Sequence, residues 1–559
     1  MKRTAATFTV FLLGVLLASP ILHGAADLDY VSFVDYIDSD RAWSIVDDLA
    51  GDRFEGRRAG TQGAELASEY ITNYYSLIDL RPAGTDGTYR TKFTLPLWEL
   101  VQMPSISLVD SSGNTEQSFE YRKDFFVMTG SGSVDYSAEV VFGGYGITAP
   151  DIGYDDYSGI SVHGKIVLAI IGTPPSSQFS QDYYGHAFKK AENALRHGAV
   201  GLVLADSPAE PTPHFIDRLR CYQIGACWTI YDGLALLGVS VQMADTLLVN
   251  TGFTLKSLQE AIDQDLRPMP LILDKHLRVS VRASFVRHAD AYNVLGFIPG
   301  SEVGSGKVVI IGAHYDHWGK DVNGDIFRGA DDNASGVAVM MEIARVLSAG
   351  AKPRFSVLFA AWSGEEEGLY GAYAYVNHPY FALEKTVAYL NLDMVGSGKP
   401  LLLESAETHT ALRAVASESA KQLGVTLSVL GYEGDSDHAP FEEEGVPNLM
   451  LIYWPYEQYH TPDDTSDRVS RSNLLDTARL KALIVLKLSG ATVSSITPPV
   501  ATVTTATTLS SSPNYETTAV SNTVSAGATL VPAEPLIIAG ILIVAVCAIG
   551  ILYVKRRRE

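Results

Sequence analysis

Cysteine is scarce in this 559-residue chain: Cys221, Cys227 and Cys547 are all it has. Three thiols cannot build a disulfide framework, an iron–sulfur cluster or a thiolate-based zinc finger. Any metal must therefore rest on histidine and carboxylate. Basic charge is also short, with 42 Lys and Arg against 64 Asp and Glu and a formal net charge of −22. That excludes a nucleic-acid binder, which needs a basic face to displace counterions from phosphate. What remains is ordinary: 47% hydrophobic and 19% charged residues, a globular average with no collagen, coiled-coil or wholly disordered signature. The length suggests two or three folded units plus appendages. No internal repeat is evident.

The ends point to export. Residues 1–26 run from Lys2-Arg3 through TFTVFLLGVLLASPIL to Gly24-Ala25-Ala26, the order of a signal peptide; an N-terminal anchor is the alternative. Residues 535–554 form an apolar stretch of membrane-spanning length, and the basic tail 555–559 is expected on the cytoplasmic side. Before it, 491–534 is rich in Ser, Thr and Pro (ATVTTATTLSSSP), a composition that cannot bury a core and reads as a disordered stalk. The expectation is an exported, cell-surface, single-pass protein with an extracellular N-terminal ectodomain, attached to the membrane by its C-terminal helix.

Between the ends the texture changes twice. Residues 27–132 begin with helical spacing and lead into strands. Residues 133–275 hold strand-like runs (AEVVFGGYG, KIVLAII, GLVLA) around one helical segment, FKKAENALRHG, and read as a separate β-rich module. Cys221 and Cys227 fall in it and could pair with each other or stay free. Residues 276–490 alternate strand and helix, which predicts an α/β fold with a mixed, largely parallel central sheet covered by helices.

In such sheets, ligands bind beyond the carboxyl ends of the strands. After KVVIIGA come His314 and Asp316; after FSVLFAAWSG come Glu365, Glu366 and Glu367; after TVAYLNL comes Asp393; after NLMLIYW comes Tyr459-His460; and Asp331-Asp332 opens the first helix. Each alone has a bland reading as a turn, a cap or a solvated acid. Carboxylates crowded together at one sheet edge would repel one another and need a cation. Oxygen and imidazole ligands without thiolate suit zinc, with manganese or cobalt as substitutes. Asp316, two residues past His314, is a natural partner to orient that imidazole.

GAHYDHWG, GADDNASG, WSGEEEGL, LNLDMVG, GDSDHAPF and YHTPDDT, in this order, resemble the co-catalytic dizinc aminopeptidase family, which includes leucyl aminopeptidases, glutamate carboxypeptidase II and the transferrin receptor ectodomain. GGYGI, DDYSGISVHGKIV and RHGAVGLV resemble its inserted protease-associated domain, and DRFEGRRAGTQG a segment preceding that insert. The resemblance implies a zinc-exopeptidase fold with two Zn²⁺ per chain. His314 and Asp393 would hold one ion, Glu366 and His460 the other, and Asp332 would bridge them. It further implies Glu365 as general base for a water ionised between the metals, and Tyr459 as a group polarising the substrate carbonyl. Asp437 would serve nearby or be purely structural. The expected activity is removal of N-terminal residues from peptides with a free N-terminus. A related carboxypeptidase, a glutaminyl cyclase and a non-enzymatic peptide-binding ectodomain stand as alternatives. Arg328, Arg345, Arg354 and Arg413 form no cluster that would favour a carboxypeptidase.

Overall fold

The computed structural model describes residues 29–209 and 230–496. The signal-like segment, Cys221 and Cys227, the stalk from 497 onward, the apolar segment 535–554 and the basic tail lie outside the described residues. Among the described residues no helix is long and apolar enough to cross a membrane.

One mixed sheet of fifteen strands runs through the described chain. Its first half is built from β1 (Arg90–Val109), β2 (Phe125–Val127), β3 (Val134–Phe142), β4 (Ile166–Ile170), β5 (Gly201–Ala205), β6 (Ala235–Val239) and β7 (Leu271–Ile298). β4 and β5 read IVLAI and GLVLA and are buried at every position. Such unbroken apolar runs belong to parallel strands covered on both faces, and β3, β4, β5 and β6 do pair in parallel. Helix α1 (Ala187–Arg196) lies in sequence between β4 and β5. Phe125–Val127 closes the far edge, antiparallel to β6.

The second half contains β8 (Val308–His314), β9 (Ser356–Trp362), β10 (Thr386–Leu392), β11 (Leu401–Glu404), β12 (Ser428–Leu430) and β13 (Asn448–Tyr453). β8 is buried at all seven positions and sits between β9 and β10, parallel to both. β13 continues the parallel run beside β10, and β11 joins β13 antiparallel. Helix α2 (Gly336–Gly350) is buried continuously from Gly336 to Leu347, as its apolar composition on every face requires. Its start presses on the end of β10: a Cβ at Gly336 would stand 2.6 Å from the carbonyl oxygen of Leu392. Helix α3 (Arg471–Ser489) carries Lys481, which is buried and donates to the Asn391 carbonyl at 2.8 Å.

The halves are joined by β7. Its first residues pair with β3, its last five pair antiparallel with β9, and most of its length runs antiparallel to β1. Residue 275 falls inside a 28-residue strand, and Phe125–Val127 pairs with β6 of the same sheet. Register shifts between Ser280 and Ala283 and between Val286 and Ala289 break the two-residue alternation, which is why the strand is hard to see in the sequence.

On α2 the Arg345 guanidinium donates to both carboxylate oxygens of Glu342, at 2.6 and 2.8 Å, and both side chains are fully buried. Glu342 also accepts the Asp38 amide at 2.8 Å. Arg345→Ala leaves a buried carboxylate without its cation and is expected to destabilise the fold by about 3–5 kcal/mol. Arg345→Met combined with Glu342→Leu should lose less, as measured by urea unfolding.

Candidate metal centre

The acidic and imidazole groups meet beyond the carboxyl ends of β8, β9, β10 and β13. His314 is the last residue of β8, Glu365 and Glu366 follow β9, and Asp393 follows β10. Asp332 lies in the turn before α2 and His460 in the loop after β13. His460 has φ 57°, a left-handed backbone that disfavours non-glycine residues by about 1–2 kcal/mol and concentrates at functional sites.

Asp332 stands between two imidazoles. Its Oδ1 is 3.4 Å from His314 Nε2, and its Oδ2 is 2.9 Å from His460 Nε2. His314 Nε2 is also 3.2 Å from Asp393 Oδ1 and 3.9 Å from Glu365 Oε2. Glu366 Oε2 lies 3.4 Å from His460 Nε2. The five sequence-derived ligands are therefore together, with Glu365 beside them. Donor atoms of His314, Asp332 and Asp393, and of His317, Asp332 and Glu366, lie within 4.8 Å of one another in each set. These are oxygen and imidazole donors at coordination spacing with no lysine or arginine head among them, so the residues fit divalent ions of the zinc type.

Charges behave as crowding in a dry site demands. Burial, reinforced by neighbouring carboxylates, pushes Glu365 and Glu366 well above the usual carboxylate range. Burial would also raise Asp332, but His317 and His460 outweigh it and hold Asp332 below that range. Burial lowers His460, whereas Asp393 and Glu365 overcome burial to raise His314.

Several supporting residues were not singled out by the sequence. His317 Nδ1 is 2.6 Å from Glu366 Oε1, and the Trp318 indole N–H donates to Glu366 Oε2 at 2.6 Å. Ser436, rather than Asp437, touches a ligand: its hydroxyl donates to Asp393 Oδ2 at 2.6 Å. Asp437 is buried with both oxygens unbonded among the described residues. Asp464 accepts the amides of Asp331 and Asp332 at 2.9 and 3.0 Å and so clamps the turn that presents Asp332. Asp316 departs from its expected role. Its carbonyl faces His314 Nδ1 at 3.2 Å, while its carboxylate sits 3.8 Å away and accepts the amides of Glu365 and Glu366. Tyr459 stacks on His460 with centroids 3.6 Å apart. His317, Trp318, Ser436 and Asp464 lie within motifs read above for other members, and nothing but contact geometry separates them from their neighbours.

Arg57, from the early DRFEGRR segment, is fully buried and donates to the carbonyls of Leu49, Tyr315, Arg328 and Gly329 at 2.6–2.8 Å. It is an internal cation under the acidic cluster. The Tyr121 hydroxyl donates to Asp321 at 3.0 Å and Arg122 pairs with Asp321 at 3.3 Å. These contacts fasten the loop between Trp318 and Phe327, whose rings pack 5.6 Å apart, and Trp318 in turn donates to Glu366.

Asp332, Glu365, Asp393, Tyr459 and His460 open onto a cleft of about 310 Å³. None of its lining residues is a lysine or arginine.

Fold and site together define an α/β protein with a buried carboxylate–histidine cluster at the strand ends of a mixed sheet. Residues 293–485 match the model of peptidase family M28. The chain is 30% identical over 194 residues to aminopeptidase YwaD of Bacillus subtilis (strain 168), a match covering 33% of this chain and 41% of that protein. It is also 30% identical over 207 residues to a probable leucine aminopeptidase of Arthroderma otae, covering 34% and 55%. The chain thus spans about half or less of these curated relatives. In three dimensions it resembles the aminopeptidase from Aneurinibacillus sp. strain AM-1, with TM-score 0.61 and 23% identity over 84% of this chain and 98% of that one.

Six carboxyls of the cluster are raised: Asp316 to about 6, Asp464 to about 7, and Asp331, Glu365, Glu366 and Asp437 well above the usual carboxylate range. Only Asp332 is lowered. A raised carboxyl keeps in the fold a proton that the unfolded chain releases near pH 4. The metal-free fold should therefore lose stability as pH rises from about 4 to 7, a trend that the depressed His317 and His460 oppose only in part. Urea unfolding at pH 5 and pH 7 in chelator should show this slope, and added zinc should flatten it.

Proposed function

We propose that this chain is a zinc aminopeptidase that uses two ions held at the strand ends. The observation that carries the reading is the convergence of His314, Asp332, Asp393, Glu366 and His460 from five separate stretches of chain. His314 and Asp393 would hold one ion and Glu366 and His460 the other, with Asp332 lying between the two histidines. Of the two histidines beside Glu366, His460 is assigned as ligand because it lines the cleft and lies 2.9 Å from Asp332. His317 is wholly buried and orients the Glu366 carboxylate. When bound, such ions supply Lewis acidity and bring the pKa of water toward about 7.

Glu365 lines the cleft and is assigned no metal bond. With its proton affinity raised by burial, it is suited to take a proton from the attacking water and pass it to the leaving amine. General acid–base transfer of this kind contributes about 10²–10⁴ in rate. Tyr459, at the mouth beside His460, is placed to meet the substrate carbonyl. Acidic walls without a lysine or arginine favour a cationic α-amino group and repel a C-terminal carboxylate, which sets the exopeptidase direction. Tyr121 and Arg122, ahead of the module read as a protease-associated domain, brace the metal site through Asp321 and Trp318.

Glu365→Gln is expected to lower kcat by about 10²-fold or more while zinc content by elemental analysis stays at two per chain. Asp332→Ala should lose metal as well as activity. In a peptide panel, unblocked N-termini should be processed and N-acetylated ones not. Cleavage of blocked peptides from the C-terminal end would replace the aminopeptidase reading with a carboxypeptidase.

A further inference from the structure

The cleft extends sideways from the metal ligands across β13 to β11. Leu402 and Glu404 point to one face of β11, as every second residue of a strand must. In register they oppose Ile452 and Met450 of β13. All four line the cleft, and Leu430 lines it beyond them. The wall formed by these strands is thus apolar with Glu404 set into it, and Glu433 lines the cleft nearby. Asp435 joins Glu404 at the rim.

Glu404 is 3% exposed. Its Oε1 accepts the amides of Glu433 and Gly434 at 2.6 and 2.9 Å and lies 2.8 Å from His438 Nε2. Its Oε2 accepts no hydrogen bond among the described residues. Burial would raise Glu404, but the His438 bond and the two amides outweigh it, so the carboxylate stays ionised. A buried, ionised carboxylate with one free oxygen facing a cavity is costly unless a donor enters that cavity. β10, which leads to Asp393, is two strands from β11, about 10 Å at the usual interstrand spacing. A group reaching Glu404 from a scissile bond at the metals must therefore sit on a long side chain whose stem can lie on Leu402, Met450 and Ile452. Lysine and arginine have that construction, an apolar stem ending in a cation.

We propose that this pocket receives the side chain of the substrate's N-terminal residue and selects lysine or arginine, with Glu404 and Asp435 meeting the cationic head. The proposal rests on the aminopeptidase reading above. Glu404, Asp435 and His438 also have the spacing of a cation site. A divalent ion such as calcium, however, requires six to eight oxygens, and the apolar wall supplies none.

The test compares arginine with citrulline, its uncharged isostere, as N-terminal aminoacyl coumarin amides on the zinc-loaded full chain. Arginine should exceed citrulline in kcat/KM by about tenfold or more, the factor that one charge-assisted contact of about 1.4 kcal/mol provides. Asp435→Asn and Glu404→Gln should each bring the ratio toward one. Asp435 stands at the rim, so its variant keeps the test open should Glu404→Gln fail to fold. Equal rates on arginine and citrulline overturn the proposal and leave the aminopeptidase reading intact, as does hydrolysis of neither while other unblocked peptides are cleaved; no cleavage of any unblocked peptide removes both. Calcium binding that Asp435→Asn abolishes, seen by calorimetry without an arginine preference, also overturns it.

Discussion

Buried negative charge is the constraint around which this molecule is arranged. Asp316, Asp331, Asp332, Glu365, Glu366, Asp437 and Asp464 are carried into one water-poor region, where uncompensated carboxylates can only repel or take up protons. Compensation comes in layers. Arg57 lies beneath, giving its donors to four backbone carbonyls of the surrounding loops. Backbone amides answer Asp316 and Asp464. What stays unanswered faces the cleft, and there the imidazoles of His314 and His460 complete a donor set suited to divalent ions. The same carboxylates that a metal requires are therefore a burden to the fold without one.

The sheet turns this burden into geometry. Parallel strands that all end at the same edge deliver one short loop each, and a buried strand such as β8 fixes His314 to within the play of a packed core. α2, pressed against the end of β10 through Gly336, holds the turn carrying Asp332 against the loop carrying Asp393. Precision at the site thus derives from elements whose own stability comes from apolar burial, while the loops contribute only the last residue or two.

Much of this was legible in the sequence because it is written at short range. Apolar runs of strand length followed at once by His314, Glu365, Asp393 or His460 mark both an element and what its end presents. The α/β architecture and the candidate residues at the strand ends follow from that, while their roles as ligands were implied only by the resemblance of the motifs to a known family. The supporting residues were less visible for a physical reason: His317, Trp318, Ser436 and Asp464 act through contacts made only after folding, and their types are common in loops. Asp316 shows the converse. Its spacing from His314 suggested an imidazole partner, but the chain turns so that its carbonyl takes that place and its carboxylate holds two amides. The length of β7 was not legible because the strand is bulged, and interrupted alternation does not announce where a strand ends.

That strand has a mechanical meaning. β7 and β1 form an antiparallel ladder, shifted in register at two places, that runs from the layer of β3 to β6 into the layer bearing His314 and Asp393. Rotating one layer against the other would strain or break main-chain hydrogen bonds along this ladder. Any transplant of the layer of β3 to β6 into another scaffold would have to be spliced in mid-strand, in register, with both crossing segments kept together.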